Sequence, residues 1–137
     1  MRLSIRLITL CAGLLISHLG SAAELPQRWV SAGGALSEWV STLGAESKLV
    51  GVDTTSQHPA SLKSLPSIGY QRQLSAEGVL SLKPDVLIGT EEMGPAAVLL
   101  QIRGAGVPVE MFSAQADLAS LEGTLQHLGR LLGDEAQ

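Results

Sequence analysis

The spacing of hydrophobic positions changes period several times along this chain, and each change marks an element. Residues 27–30, after Pro26, read as a first strand closed by the small residues Ser31, Ala32, Gly33 and Gly34. Leu36, Trp39, Val40 and Leu43 then return at helical spacing, which predicts a helix that buries this stripe and stops at Gly44. A second strand is expected over residues 49–52. Residues 53–66 show no period and are rich in Ser, Thr, Pro and His, the signature of a long loop; such loops in compact domains are usually functional or mobile.

Beyond that loop, a short helix begins near Ser75 and ends at Lys83-Pro84, because proline cannot donate the next helical hydrogen bond. The run Val86-Leu87-Ile88 predicts a strand over residues 85–89. Pro95 opens a helix over residues 96–102, stopped by Gly104 and Gly106, and residues 108–112 form a fourth strand. Asp117 is an N-cap candidate for a last helix carrying Leu118, Leu121, Leu125, Leu128 and Leu132, in which Gly123 and Gly129 each cost about 1 kcal/mol relative to alanine. Alternating strands and helices with near-continuous apolar strands predict a three-layer, Rossmann-like α/β lobe around a mostly parallel sheet. Ligands then bind beyond the carboxyl ends of the strands: at residues 31–34, from Asp53 onwards, at 91–95 and at 113–117.

The first 23 residues stand apart from this pattern. Arg2 and Arg6 precede an apolar stretch over residues 7–19, and Ser21-Ala22-Ala23 supplies small residues for a signal peptidase. The stretch is shorter than a membrane span requires. Residues 1–23 are therefore expected to be a cleaved secretory signal, leaving one exported domain over residues 24–137, with Glu24 first. Cys11 is the single cysteine, so the exported chain would have neither a disulfide nor a thiolate metal site. Loss of Arg2 and Arg6 leaves seven of the nine basic residues against thirteen acidic ones, a net charge of −6. No basic patch interleaved with aromatics is present, which argues against nucleic acid as a partner.

Gly33-Gly34 after the first strand, with Asp53 after the second, imitates a dinucleotide-binding unit, but Ser-Ala-Gly-Gly-Ala-Leu is not Gly-x-Gly-x-x-Gly, and a tight strand-to-helix turn explains it. A milder role remains open: the helix N-terminus at Gly33 and Gly34 would attract an anionic ligand group. His58, beside Pro59 in the polar loop, is either simply exposed or a ligand. His127 falls at a helical position next to Leu128. No His, Cys or Asp cluster has zinc spacing, and no Gly-x-Ser-x-Gly or paired-carboxylate motif suggests hydrolysis. The sequence gives no positive sign of an enzyme; a secreted α/β enzyme would need a reactive serine or paired carboxylates at the sheet rim.

Residues 65–90, LPSIGYQRQLSAEGVLSLKPDVLIGT, hold the one tyrosine, Tyr70, in a glycine-flanked loop with Arg72 two residues on. Taken alone, Tyr70 is either a half-buried core residue with a wet hydroxyl or a ligand-binding group. The stretch resembles the haem-carrying periplasmic binding proteins of bacterial ABC importers, within the helical-backbone class that also takes up iron-siderophores and corrinoids. In that family a Gly-Tyr-x-Arg-Gln-Leu-Ser-x-Glu-Gly loop presents an axial tyrosine to ferric haem. The resemblance implies that Tyr70 ligates haem iron, that haem is the transported ligand, and that an inner-membrane ABC permease is the partner of a monomeric carrier.

The chemistry is consistent with that assignment. A phenolate is a hard anionic ligand of ferric haem, and a metal ion and a nearby guanidinium both favour the phenolate over the phenol. Arg72 is either that guanidinium or a solvated surface arginine. Glu77, in the first turn of a helix, is favoured there by the helix dipole; the resemblance further assigns it to docking onto permease arginines. Two departures are visible: the family's tyrosine before proline in the second loop is His58 here, and family members are longer, with a spine helix and a second lobe. An iron-siderophore or corrinoid carrier of the same class is the alternative.

Overall fold

A computed structural model describes residues 24–133; the signal sequence read from residues 1–23, with Cys11, lies outside the described residues. Four strands form one all-parallel sheet: β1 (Trp29–Ala32), β2 (Leu49–Val52), β3 (Val86–Thr90) and β4 (Val109–Phe112), in the order β2-β1-β3-β4. Four helices cover it: α1 (Gly34–Thr42), α2 (Ala76–Leu80), α3 (Ala96–Gly104) and α4 (Leu118–Leu132).

The alternation of side chains along each strand divides the core in two. Trp29, Val86, Ile88 and Phe112 pack with Leu36 and Val40 of α1 and Leu128 of α4 on one face. Val30, Ala32 and Leu87 pack with Val79 of α2 and with Leu99 and Ile102 of α3 on the other. The result is the expected three-layer α/β arrangement. Trp29 is fully buried, and its indole Nε1 donates to the Pro26 carbonyl at 2.9 Å, so its one polar atom is satisfied.

The strand order reverses direction at β1. The crossover from β1 to β2 runs one way with α1 on one face, and the next runs back past β1 to β3 with α2 on the other. The carboxyl ends of β1 and β3 therefore bound a switch-point crevice, the place where open α/β sheets hold ligands.

Several boundaries shift from those predicted, each for a local reason. β1 runs from Trp29 to Ala32, two residues further than its predicted end. Ser31 and Ala32 stay in the ladder opposite Ile88 and Gly89, and the buried Ser31 hydroxyl accepts from Ser37 at 2.8 Å. Gln27 and Arg28 precede the strand because both their amides go to the Asp85 carboxylate, at 2.9 Å each. α2 ends at Leu80: the Leu82 and Lys83 carbonyls beyond it accept from the Arg28 guanidinium, and Lys83 turns to φ 50°. The Leu-Lys-Pro-Asp segment thus works as a staple between the start of β1 and the start of β3.

The loop after β2 is more ordered than its composition suggested. It contains a 3₁₀ turn (Ala60–Ser64) anchored by the fully buried Leu62, and it returns beside β2 through a bridge between Val52 and Ser67. Two expected core positions are exposed instead. Leu43 is the C-cap of α1 rather than part of its stripe, and Leu118, at the start of α4, is 85% exposed. α4 begins as predicted, with Asp117 as N-cap, and ends at Gly133, which caps it in the left-handed conformation.

Candidate functional site

A cleft of ≈ 610 Å³ opens at the switch point and runs down between α1 and α4. Gly33 and Gly34 line it from the end of β1, Thr90 and Glu92 from the end of β3, and Ser113 and Asp117 from the end of β4. Leu36 and Trp39 of α1 face Leu118 and Leu121 of α4 across its apolar half. That accounts for the exposed Leu118: the amino-terminal part of the α4 stripe faces the cleft, whereas Leu128 further along is buried in the core.

The β1–α1 turn is built for close approach. Gly33 adopts φ 149°, and a side chain on Gly34 would collide with the Thr55 carbonyl. The turn's amides are already committed. Gly33 N–H donates to Asp53 Oδ1 at 3.1 Å, and Gly34 N–H donates to Thr55 Oγ1 at 2.9 Å. Asp53 is 2% exposed and also accepts from the Thr55 and Ser56 hydroxyls; Ser56 in turn bonds Ser37, which bonds Ser31. This network explains why the dinucleotide imitation fails. The acid at the end of β2 points inward to hold the turn instead of outward to hold a ribose.

The loop that carries Tyr70 reaches the same rim through Gln71. Pro66 and Ile68 zip onto Val52, and Thr54 N–H then donates to the Gly69 carbonyl at 2.9 Å. Gly69 turns at φ 85° and releases Tyr70, which is 40% exposed. Gln71 crosses back over the strand ends: its carbonyl accepts from Gly94, and its side-chain oxygen lies 3.3 Å from where a Gly33 Cβ would stand. Gln71 therefore lines the cleft, while Tyr70, the residue before it, is not part of its wall.

The other sequence candidates are spread out. Arg72 is exposed and paired with the Glu92 carboxylate, so its guanidinium is engaged by an acid of the cleft rim. His58 is exposed in the loop after β2 and does not line the cleft. Glu77 is exposed in the first turn of α2, behind a Ser75 hydroxyl that accepts from Gly78 N–H at 3.1 Å. His127 turns toward the sheet, stacked on Phe112 with ring centroids 4.3 Å apart and Nε2 3.0 Å from Glu110.

Glu92 and Asp117 lie in the strand-end segments expected to meet ligand, 91–95 and 113–117, whereas Gln71 and Trp39 are not expected there: Gln71 follows Tyr70 in the same loop, and Trp39 reads from sequence as part of the buried stripe of α1. Asp117 carries two roles. Its carboxylate caps α4 through Ser120 N–H at 2.8 Å, and that bond, with a second from the Ser120 hydroxyl, holds its pKa below the usual carboxylate value. No group of three or more metal-ligating side chains occurs among the described residues.

With this geometry in hand, similarity to known proteins can be placed on it. The family described as periplasmic binding protein matches residues 30–137. A crystal structure of a periplasmic heme-binding protein from Pseudomonas aeruginosa has a TM-score of 0.79 and 72% identity, covering 80% of this chain and 39% of that one. The apo form of the periplasmic heme-binding protein RhuT from Roseiflexus sp. RS-1 has a TM-score of 0.74 and 42% identity, over 78% of this chain and 41% of that one. A vitamin B12-binding protein of Yersinia pestis (strain Pestoides F) is 32% identical over 98 residues, 72% of this chain and 35% of that protein. The chain thus spans well under half the length of each of these relatives, all of which are binding proteins.

Proposed function

Because the chain belongs to the periplasmic binding protein family, we propose that residues 24–137 form the amino-terminal lobe of a haem carrier that feeds an ABC importer, with Tyr70 as the axial ligand of ferric haem. One observation carries this reading. The single tyrosine is presented, part exposed, by a loop pinned at Thr54–Gly69 and Gln71–Gly94 on the rim of a cleft at the switch point. A flexible surface tyrosine needs no such anchoring. The 72% identity to the heme-binding protein of Pseudomonas aeruginosa supports the choice of haem within the family.

In this reading Tyr70 gives a phenolate oxygen to iron, and the apolar wall of Leu36, Trp39, Leu118 and Leu121 accepts part of the flat macrocycle. Arg72, at the same rim, supports the phenolate electrostatically to the extent that Glu92 releases it. Gly33 and Gly34 line the cleft with backbone alone, their missing side chains making room for Gln71 and Thr55. His58 stands by as a minority ligand candidate, and Glu77 on α2 is the permease-docking group. The export signal over residues 1–23 and action as a monomer in the periplasm belong to the same proposal.

A corrinoid is the second reading, favoured by the vitamin B12-binding relative. A hydrolytic enzyme is not favoured: Ser56, Ser37 and Ser31 around Asp53 are buried, and among the described residues no histidine lines the cleft. The test is a ferric haem titration followed by absorption and electron paramagnetic resonance, beside the same titration with cobalamin. A tyrosinate-type spectrum that disappears in Tyr70→Ala and persists in His58→Ala is the expected result. Persistence in Tyr70→Ala with loss in His58→Ala overturns the ligand assignment, and binding of cobalamin without haem selects the corrinoid.

A further inference from the structure

Haem carries two carboxylates, and the cleft walls are chemically one-sided toward them. Among the described residues no lysine, arginine or histidine lines the cleft, whereas Glu92 and Asp117 do. Two helices open onto it with their amino termini, the usual attractors of anions. Each terminus already holds a carboxylate of the chain itself. At α1, Gly33 N–H is taken by the buried Asp53 and Gly34 N–H by Thr55. At α4, Ser120 N–H is taken by Asp117. Arg72, the cation of the Tyr70 loop, is neutralised by Glu92. With that pair cancelled, Asp117 on the wall and Asp53 behind the Gly33 amide leave the cleft negative; the exposed Asp117 is screened by salt, the buried Asp53 much less.

The remaining wall is apolar or neutral: Leu36, Trp39, Leu118 and Leu121 with Gln71 and Ser113. We propose that this cleft takes the uncharged edge of the tetrapyrrole and turns both carboxylates outward, away from this lobe, with Asp53 and Asp117 setting that orientation. The inference rests on the haem reading and adds to it an orientation and a specificity. It also revises the earlier expectation for the Gly33-Gly34 turn, which lines the cleft with backbone but presents committed amides beside a buried negative charge.

The experiment compares ferric protoporphyrin IX with its dimethyl ester, whose periphery is neutral, both delivered to the full chain in the same dilute detergent. The readout is the Tyr70-dependent spectrum, with Tyr70→Phe as the control. The ester is expected to bind as tightly as the free acid or more tightly, and added salt should strengthen binding of the acid by screening the repulsion. Asp117→Ser keeps a capping oxygen for α4 while removing the charge, and should tighten the acid alone. If the acid gives the Tyr70 spectrum but the ester binds about threefold or more weakly, as a cation holding a carboxylate would require, or if Asp117→Ser leaves the acid unchanged or weaker, the orientation is wrong and the haem reading stands. If neither porphyrin gives a Tyr70-dependent spectrum, the haem reading fails and takes the orientation with it.

Discussion

The carboxylate of Asp53, at the end of β2, accepts the amide hydrogen of Gly33, at the end of β1, at 3.1 Å. This bond ties together the two loops that frame the cleft. From the same loop, Thr54 N–H holds the Gly69 carbonyl just before Tyr70.

Replacing Asp53 tests how much of the rim depends on it. Asp53→Ala strands the Gly33 amide and the Ser56 hydroxyl in a buried site, and should cost about 3 kcal/mol of unfolding free energy. Asp53→Asn keeps an acceptor and should cost less. Urea unfolding followed by tryptophan fluorescence measures both, and equal midpoints for parent and Asp53→Ala would show that the carboxylate does not hold the turn.

Gly34 faces the Thr55 carbonyl too closely for a methyl group. Gly34→Ala should therefore destabilise the fold by about 2 kcal/mol, the usual scale of an overpacked site. Gly104 has open space around it, so Gly104→Ala is the matched control and should be neutral or mildly stabilising in the same thermal melts. Equal melting temperatures for the two variants would contradict the close approach.

Asp85 gives the fold an acid-sensitive staple. Amide hydrogen bonds from Gln27 and Arg28 hold its pKa below the usual carboxylate value, with Arg28 adding a favourable charge. A depressed carboxylate pKa contributes stability that is fully present above the unfolded value near about 3.9 and is lost as pH falls through the folded value. Asp117 acts in the same sense. The melting-temperature difference between the parent and Asp85→Asn should accordingly be largest near neutrality and shrink below about pH 4. A difference that stays constant from pH 7 to about pH 2.5 would mean that ionisation of Asp85 is not the source.

The haem affinity of this chain should be lower than that of a chimera joining it to the remainder of a longer relative. Tight sites bury about 70–90% of a ligand's surface, and a single cleft wall leaves one haem face wet. Spectroscopic titration of both proteins decides it, and equal affinities would place the whole binding site in this lobe.

In the same chimera, Glu77→Ala should leave haem affinity unchanged and slow uptake in cells that carry the matching importer. Its exposed place at the start of α2, away from the cleft lining, is what separates docking from binding. Uptake at the parental rate over a range of expression levels would remove the docking role.

The sequence by itself determined the elements and their class. Apolar runs too continuous for a one-sided sheet required helices on both faces, and Ser75, Pro95 and Asp117 mark helix starts through backbone chemistry that acts within a few residues. Tyr70 was legible because it is the one tyrosine, in a glycine-flanked string. Only the tertiary structure decided what that string stands beside. The order β2-β1-β3-β4 brings together the ends of β1, β3 and β4, which lie 20 or more residues apart in the chain, so which of the expected strand ends share one cleft has no local signature: Gly33, Glu92 and Asp117 line it, and Asp53 does not. The inward turn of Asp53, the pairing of Arg72 with Glu92 and the stacking of His127 on Phe112 are likewise long-range. A side chain's chemistry is written in its residue type, whereas the direction of its charge depends on partners that only folding supplies.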